Sequence, residues 1–115
     1  MTLKILHNPR CSKSRQTLQI LKDQGLEPVV IDYIKTPITE KELMNILDQL
    51  KLTPRDILRK NEKIYKELGL SNKDIDDKQL RIHMVENPIL IERPIVISDK
   101  GVRLGRPPES VMEII

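Results

Sequence analysis

The only cysteine of the chain, Cys11, lies within H-N-P-R-C-S-K-S-R at residues 7–15, close to Arg10, Lys13 and Arg15. A cysteine that follows a strand and begins a helix meets unpaired N–H groups and the positive end of the helix dipole. Helix N-termini and nearby cations lower the pKa of a thiol and so favour the nucleophilic thiolate. An isolated cysteine is more often a small buried hydrophobe, but this context predicts a reactive one.

The spacing of residues around Cys11 excludes several other thiol chemistries. Ser14 occupies the second cysteine position of a C-x-x-C pair, so an oxidised Cys11 would need a thiol from another molecule to resolve it. Thr17 stands where a phosphatase loop would carry its arginine. One cysteine and two widely spaced histidines do not form a zinc site, so we expect neither a metal nor a bound cofactor.

Two neighbours of Cys11 can form hydrogen bonds in its vicinity. His7, four residues before Cys11, either tunes the thiolate or merely ends the strand, and it is the only nearby base that a Cys-His hydrolase could use. Ser14, in the expected first helical turn, either hydrogen-bonds to the thiolate or caps the helix. The sequence leaves both alternatives open for each residue.

The elements that must position these residues follow from apolar runs and turn signals. Residues 3–7 and 28–31 are apolar runs consistent with buried strands, and the apolar residues between them share a helix face that ends at Gly25. A strand, a helix and a strand of this length close as a parallel crossover. Cys11 is therefore expected at or just before the N-terminus of the first helix.

The middle of the chain, at about residues 39–88, is predicted to be helical. Thr39 with Glu42 has the pattern of a capping box, and Thr53-Pro54 opens another short helix. Asn87-Pro88 ends the last helix of this block.

The C-terminal part returns to strands. Residues 95–98 and 102–104 are expected to form an antiparallel pair around the turn at 99–101, and a last helix begins at 107–109. The order βαβ, helical block, ββα is that of an α/β thioredoxin-like fold with a four-stranded mixed sheet. We expect one such domain over residues 1–115, with a helical insertion at about 39–88.

Composition narrows the classes of partner. The net charge is +3, with basic and acidic residues interspersed, and aromatic residues make up only 2%, so stacking platforms for nucleic-acid bases are missing. No apolar run approaches the ~18 residues of a membrane span, and the first residues lack the apolar core of a signal peptide. These features predict a cytoplasmic protein that binds neither nucleic acid nor membrane, and they leave a small anionic ligand open.

Four segments resemble, in order along the chain, the glutaredoxin-coupled arsenate reductase (ArsC) family. They are H-N-P-R-C-S-K-S-R at 7–15, L-R-K-N at 58–61, E-R-P-I-V at 92–96 and R-L-G-R-P-P-E at 103–109. The resemblance implies a thioredoxin-like domain whose cysteine attacks arsenate. It also implies glutathione as co-substrate and glutaredoxin as the partner that completes the reduction to arsenite.

The resemblance assigns roles to individual residues. It makes Cys11 the nucleophile and places Arg59, Arg93 and Arg106 around arsenate and thiolate, where guanidinium groups bind an oxyanion bidentately. It also makes Pro94 the cis proline that faces the cysteine loop in thioredoxin-like folds.

Further residues of the cysteine loop have supporting roles in this interpretation. His7, Ser14 and Arg15 are expected to assist the thiolate. The family motif is C-G-T-S-R, whereas Ser12 and Lys13 replace its glycine and threonine in this chain. Losing the glycine alters a backbone that must approach the oxyanion closely, and Lys13 adds a positive charge at the same place.

Two other functions are compatible with the same fold. A monothiol glutathione-dependent oxidoreductase of unknown substrate would form a mixed disulfide at Cys11 without binding arsenate. A regulator resembling the Spx proteins would bind RNA polymerase, but Spx proteins sense redox state through a C-x-x-C pair that Ser14 interrupts here.

Overall fold

The strands of a computed structural model, which describes residues 3–115, form one mixed sheet. They are β1 (Lys4–His7), β2 (Val29–Asp32), β3 (Ile95–Ser98) and β4 (Gly101–Leu104). The strand order is β2-β1-β3-β4, in which β1 and β2 are parallel and the other two neighbouring pairs are antiparallel. The predicted α/β fold with a four-stranded mixed sheet is confirmed.

The helices follow the predicted order. The α-helices are α1 (Ser12–Asp23), α2 (Glu40–Leu50), α3 (Lys63–Glu67) and α4 (Asp77–Glu86). Three 3₁₀ helices, each with proline in its first turn, lie at Pro54–Ile57, Pro88–Leu90 and Pro108–Ile114. The expected last helix is therefore present as a 3₁₀ helix.

Contacts divide the chain into two compact units. The first comprises Met1–Thr36 and Arg93–Ile115 and contains the sheet, α1 and the last 3₁₀ helix. The second is Pro37–Glu92, which includes the helical block predicted at 39–88.

The core of the first unit consists of aliphatic side chains from the sheet, α1 and the C-terminal 3₁₀ helix. Its buried members are Leu3, Ile5, Leu21, Val96, Val111 and Ile114. Helix α1 ends as predicted near Gly25, whose φ of 74° is left-handed. The N–H of Gly25 donates to the carbonyl of Lys22, and the N–H of Leu26 donates to that of Leu21, which is the Schellman arrangement.

Strand β2 differs from the prediction of a buried strand. It is an edge strand, and Val29 and Val30 are 55% and 47% exposed. The burial of a strand depends on which elements cover it. An apolar run in the sequence therefore does not distinguish a central strand from an edge strand.

Two α-helices of the second unit, α2 and α4, begin at side-chain caps. Thr39 with Glu42 forms the predicted capping box at α2, and Asp76 with Gln79 forms another at α4. An isolated antiparallel bridge joins Leu58 to Ile91. This bridge fixes the segment that follows Leu58, where Arg59 lies.

Candidate active site

Cys11 is the N-cap residue of α1, as its position between strand and helix predicts. Its backbone is extended, with φ −93° and ψ 123°. Its N–H donates to the carbonyl of Asn8 at 3.0 Å, and its own carbonyl accepts from the N–H of Arg15 at 3.0 Å. The loop between β1 and α1 thus holds a partly exposed thiol at the start of the helix.

The pKa of the Cys11 thiol lies below its ordinary value. Burial raises the pKa, but this effect is outweighed by the backbone N–H of Ser14, by the guanidinium of Arg93 and by the backbone N–H of Lys13. The two N–H groups belong to the first turn of α1, where no helical carbonyl is available to them. A larger share of Cys11 is therefore thiolate at neutral pH than in an ordinary cysteine.

Arg93 and Arg106 meet near Cys11 because of strand pairing. Arg93 lies two residues before β3 and Arg106 two residues after β4, and the register pairs Ile95 with Leu104. The Nε of Arg106 donates to the carbonyl of Arg93 at 2.9 Å, and its Nη2 donates to Cys11 Sγ at 3.6 Å.

The two arginines differ in their surroundings. Arg93 is 8% exposed, whereas Arg106 is an exposed residue. Water screens the charge of an exposed guanidinium, so Arg93 has the larger effect on the thiol pKa although Arg106 also contacts the sulfur. The peptide bonds Arg93-Pro94 and Arg106-Pro107 are both cis, the first as the resemblance implies.

Ser14 is buried, and its hydroxyl forms neither of the two interactions that the sequence left open, a bond to the thiolate or a cap of α1. Its backbone N–H favours the thiolate, while its hydroxyl lies 2.7 Å from Nδ1 of His7 and accepts from the N–H of Asn8 at 3.0 Å. His7, the last residue of β1, is thereby joined to the first turn of α1 through Ser14.

The pKa of the His7 imidazole lies below its ordinary value. Burial lowers its pKa, Asp32 on the neighbouring strand raises it, and Arg15 and Lys22 lower it, so that the net shift is downward. Arg15 also donates from Nη1 to the carbonyl of Pro9 at 2.9 Å, which ties the helix back to the loop.

Two residues of this site were not singled out from the sequence. Asn8 is buried, and its Oδ1 accepts from the N–H of Arg10 at 3.0 Å, an Asx turn that the N-P dipeptide could have indicated. Gly105 allows close packing, since a Cβ there would lie 2.6 Å from Pro94 Cγ and 2.6 Å from Thr17 Oγ1. No local signal marks Gly105, because both neighbours come from distant parts of the chain.

Arg59 belongs to the second unit and has carboxylate partners there. Its Nε donates to Glu62 Oε2 at 3.0 Å and its Nη1 to Glu92 Oε1 at 3.2 Å. The structure thus brings Arg93 and Arg106 to Cys11 within the first unit, whereas Arg59 is described within the second unit alone.

Over residues 3–115, no cluster of three or more His, Cys, Asp or Glu side chains has an arrangement suited to a metal ion. None of the helices described in that range has both the length and the apolar composition that crossing a bilayer requires.

The sheet, the helix that begins at Cys11 and the arginines beside the sulfur define a thioredoxin-like domain with a single activated thiol. The sequence model of the ArsC family matches residues 6–114, and the chain belongs to this family.

Relatives of similar sequence extend over nearly the whole chain. The Escherichia coli protein named "Uncharacterized protein YfgD" is 46% identical over 98% of this chain and 96% of its own length. An arsenate reductase of Yersinia enterocolitica is 47% identical over 96% of this chain and 79% of its own length. The solved structure of an arsenate reductase from Vibrio cholerae superposes with a TM-score of 0.95 at 46% identity, covering 100% of this chain and 98% of that one.

Proposed function

We propose that this chain is an oxidoreductase that reduces arsenate to arsenite, with Cys11 as its only catalytic cysteine and with glutathione and glutaredoxin as reductants. The observation that carries the proposal is the thiol of Cys11 at the N-cap of α1, 3.6 Å from Nη2 of Arg106. A thiolate needs a positive environment, and an oxyanion needs the same one. The arsenate reductases to which the chain is similar support arsenate as the oxyanion.

In the proposed first step the Cys11 thiolate attacks arsenic. One As–O bond breaks, and its oxygen leaves as water after protonation by solvent, so that arsenic remains As(V) in a covalent adduct. Arg93 and Arg106 bind the remaining oxygens and offset the negative charge that would otherwise repel the thiolate. Arg59 is proposed as a third arginine of this set on the strength of the resemblance.

The next steps bring in the two external thiols. Glutathione replaces a second oxygen on arsenic, and that oxygen also leaves as water. The thiolate of glutaredoxin then attacks the glutathione sulfur, and the electron pair of the broken As–S bond stays on arsenic, which becomes As(III). Glutathione leaves on glutaredoxin as a mixed disulfide. Water then displaces Cys11 from arsenic, which frees the thiol and releases arsenite.

The remaining polar residues of the loop are proposed to hold the nucleophile in place. The hydroxyl of Ser14 joins His7 to the backbone of Asn8, and Arg15 anchors the first turn of α1 to Pro9. These bonds orient the N–H groups that favour the thiolate. The proposed reductants belong to a reducing compartment, so the proposed location is the cytoplasm.

The test is steady-state arsenite formation from arsenate with glutathione and glutaredoxin present. We expect turnover that requires both reductants and is abolished in Cys11→Ser. A chain that becomes glutathionylated at Cys11 but produces no arsenite would favour the monothiol oxidoreductase instead.

A further inference from the structure

The guanidinium of Arg59 is held by two carboxylates on different segments of the second unit. Glu62 accepts from Nε at 3.0 Å and Glu92 accepts from Nη1 at 3.2 Å. The Arg59 side chain is 19% exposed, and the two glutamates are 24% and 21% exposed. These are partly shielded ion pairs, in which water screens the charges less than on an open surface.

The backbone fixes both carboxylates beside Arg59. Glu62 is the N-cap residue of α3, three residues further along the chain. Across the bridge between Leu58 and Ile91, the N–H of Arg59 donates to the carbonyl of Leu90 at 2.7 Å, and the N–H of Glu92 donates to Ile57 at 2.9 Å. The arrangement therefore follows from secondary structure rather than from the chance meeting of long side chains.

The two ion pairs limit how Arg59 can bind another anion. A guanidinium offers two bidentate edges, one formed by Nε with Nη2 and the other by Nη1 with Nη2. Glu62 engages one member of the first edge and Glu92 one member of the second. Nη2 takes part in neither ion pair. Each Nη carries two hydrogens, so an oxyanion can still reach Arg59 through Nη1 and Nη2, but it can use the edge formed by Nε with Nη2 only after Glu62 has moved away.

The charges of the two glutamates also disfavour the binding of an anion at Arg59. Arg59, Glu62 and Glu92 together carry one net negative charge when both carboxylates are ionised. An anion at Nη2 is attracted by the guanidinium and repelled by both glutamates, and the repulsion is larger for a doubly charged anion than for a singly charged one.

We propose that Glu62 and Glu92 are positioning residues that occupy two of the five N–H donors of Arg59 and weaken the binding of doubly charged oxyanions. The inference rests on the proposed function, in which Arg59 contacts the oxyanion. Arsenate is also captured by a covalent bond to Cys11, whereas an unreactive oxyanion such as sulfate depends on non-covalent contacts alone. The repulsion by the two glutamates acts on both anions, and sulfate reports it without the covalent step.

The experiment measures the dissociation constant of inorganic sulfate by titration calorimetry. Sulfate stays doubly charged throughout the neutral range and does not react with a thiol. We expect Glu62→Gln and Glu92→Gln each to bind sulfate about tenfold more tightly than the unaltered chain, because glutamine keeps the size and an acceptor oxygen but removes the repelling charge. Either variant is sufficient if the other does not fold.

A matched control removes a carboxylate from the same unit without touching Arg59. Glu67 pairs with Lys63 at 3.6 Å on the surface of α3, and Glu67→Gln should leave the dissociation constant unchanged. In an Arg59→Gln background, the gain from Glu62→Gln should disappear if the glutamate acts through Arg59.

Three results would overturn the inference: unchanged or weaker sulfate binding in both glutamate variants, the same gain in Glu67→Gln, or a gain that persists without Arg59. The failure of the proposed function has a different signature, because the unaltered chain would then form no arsenite with glutathione and glutaredoxin. An unaltered chain that reduces arsenate while its glutamate variants bind sulfate as before would refute this inference alone.

Discussion

Arg106→Ala should make the Cys11 thiol harder to ionise. Nη2 of Arg106 lies 3.6 Å from the sulfur. At this separation two unit charges in a water-like dielectric interact by about 1 kcal/mol, and a water-like value is appropriate because Arg106 is exposed. This energy corresponds to a decrease of about sixfold in the acid ionisation constant of the thiol.

The assay is the ultraviolet absorbance of the thiolate followed as a function of pH. Cys11 is the only cysteine, so every thiolate signal comes from it, and Cys11→Ser supplies the blank for tyrosine ionisation. Arg103→Ala is the matched control, because Arg103 lies on β4 and pairs with Glu113 at 3.2 Å. The control should titrate like the unaltered chain.

The comparison with Arg93 sharpens the test. Arg93 is 8% exposed and lowers the thiol pKa, so Arg93→Gln should suppress ionisation more strongly than Arg106→Ala. Equal titrations for Arg106→Ala and the unaltered chain, or an equal change in Arg103→Ala, would refute the reasoning that local guanidinium charge stabilises the thiolate.

Three further predictions concern stability, and denaturant unfolding measures each. Gly105→Ala should lower the free energy of unfolding by about 1–3 kcal/mol through overpacking, because its Cβ would lie 2.6 Å from both Pro94 Cγ and Thr17 Oγ1; an unchanged value would contradict this contact. Burial lowers the pKa of His7, so the unfolded chain binds more protons than the folded chain between about pH 7 and pH 5, and stability declines as the pH falls through this range. His7→Gln should make this decline less steep. Parallel curves of stability against pH for the variant and the unaltered chain would contradict the prediction. Thr39→Ala should cost about 1 kcal/mol by removing the cap of α2, and no loss would show that the cap contributes nothing.

The position of Cys11 could be predicted because its signals are local. An apolar run ending at His7 and a glycine at position 25 bracket the first helix, and the structure places Cys11 at its N-cap. The capping box at Thr39 is equally local and is present as predicted.

The arginines near the thiol could not be selected from local signals alone. The chain has 20 lysine and arginine residues, and no spacing rule distinguishes Arg93 and Arg106 from the others. They meet because β3 and β4 pair in a particular register, which brings together residues 13 positions apart. The resemblance to the ArsC family singled out Arg93 and Arg106, because the motifs of a family include residues that meet only in the folded protein.

Contacts between distant segments account for what the sequence did not indicate. The requirement for glycine at position 105 arises from Pro94 and Thr17, which reach it only in the folded chain. The exposure of Val29 and Val30 depends on β2 being at the edge of the sheet. The ion pair of Arg59 with Glu92 likewise depends on a bridge between residues far apart in sequence.

The most direct test of the account is the titration of the Cys11 thiol in the unaltered folded chain, with Cys11→Ser as the blank and the same chain in denaturant as the reference. The account predicts that the folded chain forms its thiolate at a lower pH than the denatured chain, because the first turn of α1 and Arg93 hold the negative charge. A folded chain that ionises at the same pH as the denatured one, or at a higher pH, would contradict it.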